Sequence, residues 1–387
     1  MTILQEATEL KPYMVELRNF FHSHPELGLK EFLTCNKSEE ELNKLGLAPR
    51  RVGETNVIAE INSDKTGKTL FLRADIDALP IQEANDVPYK SNFDGIMHAC
   101  GHDGHTAALL GCAKILLAHK NKINGKVILA FQAAEEIGKG ARDIIESGTL
   151  DCVTRCFGIH FQSSLDVGKV GIKEGADWAS CDRFKIRILG KSAHITHPQD
   201  GTDALFIASL IAVQLQTVVS RLVNPIEGAL IGIGRFQAGT TYNIIASEAE
   251  LEGTIRAFSP QIREKMKNTV KEIAENISHE YGGKAEVFID DLCDPCFNDK
   301  ECTKEAVKSA TKLLGHENVL TDIEKQFMAD NFADYYRKAP GCYVHVGSGN
   351  STNTRYAHHS DHFDIAEDSL IYAAAILSQY TLDYLAG

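Results

Sequence analysis

Residue types that bind metal ions are concentrated in five short segments of the chain, and the densest of these is residues 97–105. This segment holds three histidines, a cysteine and an aspartate just before a predicted helix. Thiolate and imidazole groups bind zinc and similar divalent cations. Cys100 and His102, two residues apart in a glycine-containing loop, can face one site. The alternative is a polar loop in which Asp103 or Thr106 caps the helix that follows.

A pair of acids, Glu135 and Glu136, follows a predicted strand at residues 126–131 and precedes a glycine-rich turn. Adjacent glutamates are usually solvated surface residues. However, open α/β sheets place their sites at the carboxyl ends of parallel strands, and this pair lies at such an end. One carboxylate could bind a metal ion while the other acts as a general base.

Two more segments and one aspartate extend the set. His160 ends a short apolar strand, where the alternative is a histidine satisfied within the core. His358, His359 and His362 lie between a predicted strand and a helix, where the alternative is a surface loop. Asp75 also ends a predicted strand and could orient a ligand or bridge charges. Taken together, these residues predict a metal site that could hold two ions.

The elements that must position these residues alternate between strand and helix in the first 160 residues. This alternation predicts crossover connections and a largely parallel, doubly wound α/β sheet. The predicted strands are 56–61, 69–73, 126–131 and 156–161, and the predicted helices are 106–117 and 141–147.

The middle of the chain follows a different pattern, β-α-β-β-α-β, which is the split unit of a ferredoxin-like domain. We therefore predict that a domain of residues 180–292 is inserted into a discontinuous catalytic domain of residues 1–179 and 293–387. The predicted elements of the insertion are 183–189, 203–222, 229–236, 248–258, 260–281 and 285–290, and a helix at 300–314, a strand at 342–347 and a helix at 367–385 follow it.

The composition excludes several classes of function. Hydrophobic residues make up 43% and charged residues 24%, which is ordinary for a globular protein. With 40 basic and 53 acidic residues the formal charge is −13, so we expect neither nucleic acid nor a membrane surface as a partner.

No signal-peptide pattern is visible, and the apolar stretch 204–219 is short for a membrane span. We expect a cytoplasmic protein whose cysteines are mostly core thiols, with Cys293 and Cys296 as a weak redox candidate.

Four motifs carry a resemblance to a known family. The segments RADIDALP, MHACGHDGHTA, FQ-x-AEE and HS-x-x-F resemble the aminoacylase and hippurate-hydrolase amidohydrolases, a group that includes plant auxin-conjugate hydrolases and belongs to a larger metallo-exopeptidase family. The similarity runs from His22 to Asp368. It implies a zinc-peptidase-like α/β domain with an inserted ferredoxin-like lid that often dimerises.

The resemblance also implies an activity and the residues that perform it. The expected reaction is metal-dependent hydrolysis of N-acyl-L-amino acids, of the N-acetyl or N-benzoyl type, with two divalent ions (manganese, zinc, cobalt or nickel) per subunit. The implied roles are metal ligation by Cys100, His102, Glu136, His160 and His359, general base catalysis by Glu135, ligand orientation by Asp75, oxyanion stabilisation across a dimer by His194, and binding of the substrate carboxylate by Asn243 and Arg256.

Departures from the family pattern lie beside the predicted ligands and not at them. Ala133 stands where proline is usual, and Ser192 and Ala193 replace two glycines. We therefore expect these departures to affect substrate preference and not catalysis. His358 and His362 leave the last ligand open, although His359 matches the family's His-Ser. The alternative functions are a metallo-exopeptidase that cleaves dipeptides and a non-catalytic metal-dependent binding protein.

Overall fold

A computed structural model describes residues 1–62 and 64–386. Contacts between Cα atoms divide the chain into two units. The larger unit comprises Met1–Gly175, Phe297–Glu324 and Asn331–Gly387, and the smaller comprises Ala176–Cys296 and Lys325–Asp330.

The larger unit is built on a mixed eight-stranded sheet. Its helices are α1 Ile3–Glu9, α2 Lys11–Ser23, α3 Phe32–Lys44, α4 His102–Ala118, α5 Ala141–Glu146, α8 Lys300–Leu314 and α9 Ser369–Tyr384. Its strands are β1 Arg50–Val52, β2 Asn56–Ile61, β3 Thr69–Asp75, β4 Lys126–Gln132, β5 Arg155–Asp166, β6 Val170–Gly171, β13 Val319–Leu320 and β14 Gly341–Gly349. Two short strands, β7 Gly175–Trp178 and β12 Cys296–Asn298, lie where the chain passes from one unit to the other.

The strand order of this sheet is β1-β2-β4-β3-β5-β14-β6-β13. The four central strands, from β4 to β14, run parallel, and β1 and β2 pair antiparallel with their neighbours. Strand β6 pairs antiparallel with β14 and parallel with β13. Every residue of β3 is buried, as is typical of a central parallel strand covered on both faces. Asp75 pairs with Gln132 in the register of β3 and β4, so the segments that follow these two strands emerge side by side. The predicted α/β fold is confirmed.

The smaller unit is a four-stranded antiparallel sheet with two helices. Its elements are β8 Cys181–Leu189, α6 Ala204–Leu222, β9 Ala229–Ala238, β10 Glu248–Ala257, α7 Pro260–Glu280 and β11 Lys284–Cys293. Chain order is therefore β-α-β-β-α-β, and the spatial order is β11-β8-β10-β9, as in ferredoxin-like folds. Asp203 accepts hydrogen bonds from the backbone N–H groups of Leu205 and Phe206 at the start of α6.

Helix α6 has an apolar inward face and an outward face on which apolar and polar side chains are mixed. Ile207, Ile211 and Leu215 are buried in the core of the smaller unit, whereas Phe206 and Val213 are exposed. By length and composition alone α6 could cross a membrane. Its packing against β8, β9 and β10 is that of a helix covering a sheet.

Candidate metal centre

The segment 97–105 turns directly into helix α4, which begins at His102, four residues before the predicted start at 106. Gly101 makes this entry possible because its φ of 96° lies in the left-handed region that favours glycine. No side chain caps the helix. The alternative in which Asp103 or Thr106 is a cap is therefore wrong, and Thr106 instead donates its hydroxyl to the backbone oxygens of His102 and Asp75.

His102 is held through one ring nitrogen, which leaves the other available to a ligand. Its Nδ1 donates to the backbone oxygen of Asp77 at 2.9 Å and lies 3.3 Å from the Asp77 carboxylate. Its Nε2 is buried without a hydrogen-bond partner among the described residues. This atom lies 3.3 Å from Asp75 Oδ2 and 3.9 Å from Glu136 Oε1.

His160, which lies in β5, is also held through its Nδ1 atom. Its Nδ1 donates to the backbone oxygen of Phe161 at 2.7 Å, and its Nε2 lies 3.6 Å from Cys100 Sγ. Both side chains are buried. The Nε2 of His160 and the thiol of Cys100 therefore face each other. His160 lies inside β5, which continues to Asp166, so the prediction that it ends a strand is wrong.

The two acids follow β4 in a tight turn. Ala134, the residue before them, has φ 55° and ψ 37°, and residues Glu135–Ile137 form one turn of 3-10 helix. The backbone N–H of Glu136 donates to Asp77 Oδ2 at 3.0 Å, and Glu135 Oε1 accepts from the backbone N–H of Asn331 at 3.2 Å.

The C-terminal histidines differ in what their rings contact. His359 lies with Nε2 3.3 Å from Glu136 Oε1. His358 donates its Nε2–H to the backbone oxygen of Phe161 at 2.9 Å, and His362 contacts its neighbour Asp361. The ring of His358 packs edge-on against that of His160, but of the three histidines only His359 belongs to a group of potential ligand atoms among the described residues.

The predicted ligands come together in overlapping groups whose ligand atoms lie within 4.8 Å of one another. Three of the groups contain only residues predicted as ligands or general base, and they are Cys100–His102–His160, Cys100–Glu136–His359 and His102–Glu135–Glu136. Glu136 Oε1, like His102 Nε2, is buried without a hydrogen-bond partner among the described residues. Leaving such atoms unsatisfied is costly, and a divalent cation bound by thiolate, imidazole and carboxylate would satisfy both. The residues present therefore fit a metal ion.

Burial and neighbouring charge set the protonation of this cluster. Burial, together with the nearby His105 and His358, holds the pKa of His160 well below its usual value, and the neutral imidazole is the form that binds metal. Burial opposes a charge on His102 as well, but Asp75 and Asp77 outweigh it and raise its pKa well above the usual value. A cation bound here would take the place of that proton.

Two residues of the site were missed from the sequence. Asp77 contacts both His102 and the backbone of Glu136, and the available signal was its position two residues after Asp75. His105 belongs to a fourth group with Asp75 and His102, yet both of its ring nitrogens are in use. Its Nδ1 donates to Asp75 Oδ1 at 2.6 Å, and its Nε2 accepts from the backbone N–H of Phe161 at 3.1 Å.

A buried charge network lies behind the ligand turn. Asp103 Oδ2 accepts from Arg18 Nε at 2.7 Å and from His22 Nδ1 at 2.8 Å. Arg18 also donates to Asp364 at 2.5 Å, and His22 Nε2 lies 3.1 Å from Glu83. Helix α2, which carries Arg18 and His22, is thereby joined to the first turn of α4.

The remaining predicted residues lie in the smaller unit. His194 is exposed, with Nδ1 2.7 Å from Thr196 Oγ1, and its backbone pairs with Ile244, the neighbour of Asn243. Arg256 is half-buried in β10 and forms no ion pair with any described residue. The other arginines on the strands of this sheet do form such pairs, and they are Arg183, Arg187 and Arg235.

The chain matches the model of Peptidase family M20/M25/M40 over residues 71–383. It is 38% identical over 372 residues to the N-acetylcysteine deacetylase of Bacillus subtilis, covering 95% of this chain and 94% of that protein. It is 35% identical over 390 residues to IAA-amino acid hydrolase ILR1-like 5 of Arabidopsis thaliana, covering 99% and 89%.

Solved structures agree with the sequence matches. The structure of the YXEP protein of Bacillus subtilis, described as a dinuclear metal binding peptidase from the M20 family, has a TM-score of 0.84 at 34% identity. The match covers 98% of this chain and 99% of that one. The resemblance predicted from the motifs is confirmed. The chain belongs to Peptidase family M20/M25/M40 and is a metal-dependent amidohydrolase.

Proposed function

We propose that the protein hydrolyses the amide bond of N-acyl-L-amino acids, of the N-acetyl or N-benzoyl type, releasing a carboxylic acid and a free amino acid. The observation that carries this proposal is the packing of a thiol, imidazoles and a carboxylate around unsatisfied buried atoms, directly beside a second carboxylate. The relatives named N-acetylcysteine deacetylase and IAA-amino acid hydrolase support the substrate class.

Two divalent ions would be held by five side chains. These would be Cys100, His102, Glu136, His160 and His359, which fall into overlapping groups of potential ligand atoms. When bound, the ions would supply Lewis acidity, which lowers the pKa of water to near 7 and polarises a carbonyl. This ligand set accepts manganese, zinc, cobalt or nickel.

Glu135 then acts as the general base. Its carboxylate takes a proton from the attacking water and later delivers it to the leaving amine, a role worth about 10²–10⁴-fold in rate. The backbone N–H of Asn331 donates to Oε1 and so fixes the orientation of the carboxylate. Asp75 and Asp77 hold His102 and the Glu136 backbone from behind.

The smaller unit is proposed to supply the substrate-binding groups. Arg256 forms no ion pair with any described residue, so its planar guanidinium is available to an α-carboxylate. Asn243 would bind the same group. His194 would stabilise the oxyanion of the tetrahedral intermediate, as a residue contributed by the partner subunit of a homodimer. A cytoplasmic location, with no nucleic acid or membrane partner, completes the proposal.

A second candidate is a metallo-exopeptidase that cleaves dipeptides. It is supported by a relative named thermostable carboxypeptidase 2 from Saccharolobus solfataricus, 37% identical over 371 residues. A dipeptide differs from an N-acyl amino acid mainly in its free amine. Recognition of that amine would need an acidic partner.

The test is release of free amine after reconstitution with manganese, zinc, cobalt or nickel. The substrates are N-acetyl and N-benzoyl amino acids, N-acetyl-diaminopimelate and several dipeptides. Preferential cleavage of N-acyl amino acids, abolished by a chelator, is the expected result. Cleavage of dipeptides alone would favour the exopeptidase, and no cleavage with any metal would contradict both proposals.

A further inference from the structure

The turn that carries Glu135 and Glu136 begins with a residue in an unfavourable conformation. Ala134 is one of four non-glycine residues with positive φ among those the structure describes, and it lies immediately before the proposed general base. Residues with a Cβ atom disfavour this left-handed region. Such conformations persist only where the surrounding structure holds them, and they are frequent at functional sites.

The backbone around Ala134 is held by side chains from three different parts of the chain. The N–H of Ala133 donates to Asn56 Oδ1 at 2.9 Å, that of Ala134 to Glu31 Oε1 at 2.7 Å, and that of Glu136 to Asp77 Oδ2 at 3.0 Å. The shortest of the three bonds is therefore made by the strained residue itself.

Glu31 is completely buried, which is unusual for a carboxylate that forms no ion pair with any residue the structure describes. Its Oε2 has no hydrogen-bond partner among the described residues. A buried acid is costly to keep, and the groups that stabilise its charge are neutral ones, namely the Ala134 N–H, the side chain of Thr55 and its own backbone N–H. The side chain therefore does not serve an ion pair of the fold.

The segment that contains Glu31 also fits closely against the turn. A Cβ atom on Gly28 would lie 3.2 Å from Ala134 Cα and 3.3 Å from its Cβ, so a larger residue at this position would press on the turn. Gly28 and Glu31 thus both lie directly against the acidic turn.

From these contacts we infer that Glu31 is a positioning residue, whose bond to the Ala134 N–H holds the turn so that the Glu135 carboxylate meets the substrate water in a reactive orientation. This inference rests on the proposed role of Glu135 as general base. Glu31 acts through the backbone and touches neither substrate nor metal.

The test compares three variants, each saturated with metal, on an N-acetyl amino acid that the wild-type protein cleaves. Glu31→Met removes the acceptor at similar size, and Glu31→Gln keeps an acceptor oxygen. Glu26→Met is the matched control, because Glu26 likewise accepts backbone N–H groups, from Leu33 and Thr34, but does not contact the turn. Melting temperature and metal content are measured for all three.

We expect Glu31→Met to lower kcat at least tenfold with KM changed less than twofold and metal content unchanged. Glu31→Gln should stay within threefold of wild type. Glu26→Met should lower the melting temperature without a comparable loss of kcat. A fourth variant combines Glu31→Met with Ala134→Gly. Its kcat should be at least threefold higher than that of Glu31→Met, because glycine adopts the turn conformation without strain.

Backbone amide exchange gives a readout that does not depend on activity. A peptide spanning residues 131–137 should exchange faster in Glu31→Met than in wild type or Glu31→Gln. If Glu31→Met does not fold, Glu31→Asp, which withdraws the acceptor by one methylene group, replaces it in every comparison.

Unchanged kcat in Glu31→Met, equal losses in Glu31→Met and Glu31→Gln, or unchanged exchange in the turn would each overturn the inference. Failure of the proposed function is distinguishable. If Glu135→Gln retains full activity, then Glu135 is not the base, while the exchange measurement still reports whether Glu31 holds the turn.

Discussion

At the scale of single residues, the predicted histidine ligands are oriented by hydrogen bonds to other groups of the protein. His102 and His160 each donate Nδ1–H to a backbone oxygen, of Asp77 and Phe161 respectively. This fixes the tautomer and directs Nε2 into the site. Asp77 has the additional contact to the Glu136 N–H, so it orients ligands that come from two different strand ends.

Replacing Asp77 by asparagine should therefore weaken metal binding. The bond from His102 Nδ1 to the Asp77 backbone oxygen remains in this variant, but the negative charge 3.3 Å from Nδ1 is removed. Changes to the groups that surround a ligating histidine typically cost about 10–100-fold in affinity. Chelator competition should show a decrease of this size in Asp77→Asn, with the protein still folded. The control is Asp94→Asn, because Asp94 is exposed. Equal metal affinity in Asp77→Asn and wild type would contradict the assigned contact.

Stability should depend on pH through Glu31. Burial and the negative charge of Asp77 raise its pKa to about 7 from 4.5. Between pH 4.5 and 7 the folded state holds a proton that the unfolded chain has lost, so ionisation of Glu31 reduces stability as pH rises, by up to about 3 kcal/mol. The metal-free Glu31→Gln variant should gain stability relative to wild type across this window, as measured by urea unfolding. A stability difference that does not change with pH would contradict this.

The sequence motifs single out candidate site residues by type and spacing, but they do not show which other residues those side chains contact. The motifs identify Cys100, His102, Glu136 and His359 because their types and spacing are unusual. Glu31 looks like any surface acid in the sequence, since its contact with Ala134 joins residues about a hundred positions apart. Such a contact follows from the packing of the fold and leaves no local pattern.

At the scale of elements, the predicted ligand Glu136 follows the end of β4 and His102 begins α4, whereas His160 lies within β5. Periodicity predicts these elements well, and strand β2 and helix α8 have the predicted bounds. The start of α4 was placed four residues late because Gly101 disfavours a helix by propensity, although here it provides the turn into one. The link between α2 and α4 through Arg18 and Asp103 could not be predicted, because it depends on which helix faces are neighbours.

Breaking this link should destabilise the larger unit strongly. Arg18→Met leaves Asp103 and Asp364 buried without their cation, which should cost about 3–5 kcal/mol in the free energy of unfolding. Lys11→Met removes an exposed partner of Asp368 and should cost less than about 1 kcal/mol. Urea unfolding of the two variants checks the difference. Similar losses in both would show that the buried network contributes no more than a surface pair.

At the scale of the whole molecule, the smaller unit has features of an association surface. Strand β9 is at the edge of its sheet, where unpaired backbone groups can pair with another chain. Helix α6 packs against β9 and exposes Phe206 and Val213. These features support the proposed homodimer, in which His194 would act across the interface.

The native mass in solution should therefore be twice the 42.5 kDa of one chain. Val213→Glu introduces a charge on the exposed face of α6 and should shift the protein towards monomer, with activity lost in parallel. Lys271→Glu on α7 is the control. Analytical ultracentrifugation combined with activity at the same concentrations measures both properties. A fully active monomer would contradict the role of His194 across subunits.

The most direct test of the central claim compares Glu135→Gln with wild type after metal loading. Metal content should be equal, because the five proposed ligands remain, and kcat on an N-acetyl amino acid should fall by about 10²–10⁴-fold. The control is Glu146→Gln, which should behave as wild type because the side chain of Glu146 is exposed on α5. Full activity in a folded, metal-loaded Glu135→Gln protein would contradict the account of this site as one in which Glu135 is the general base.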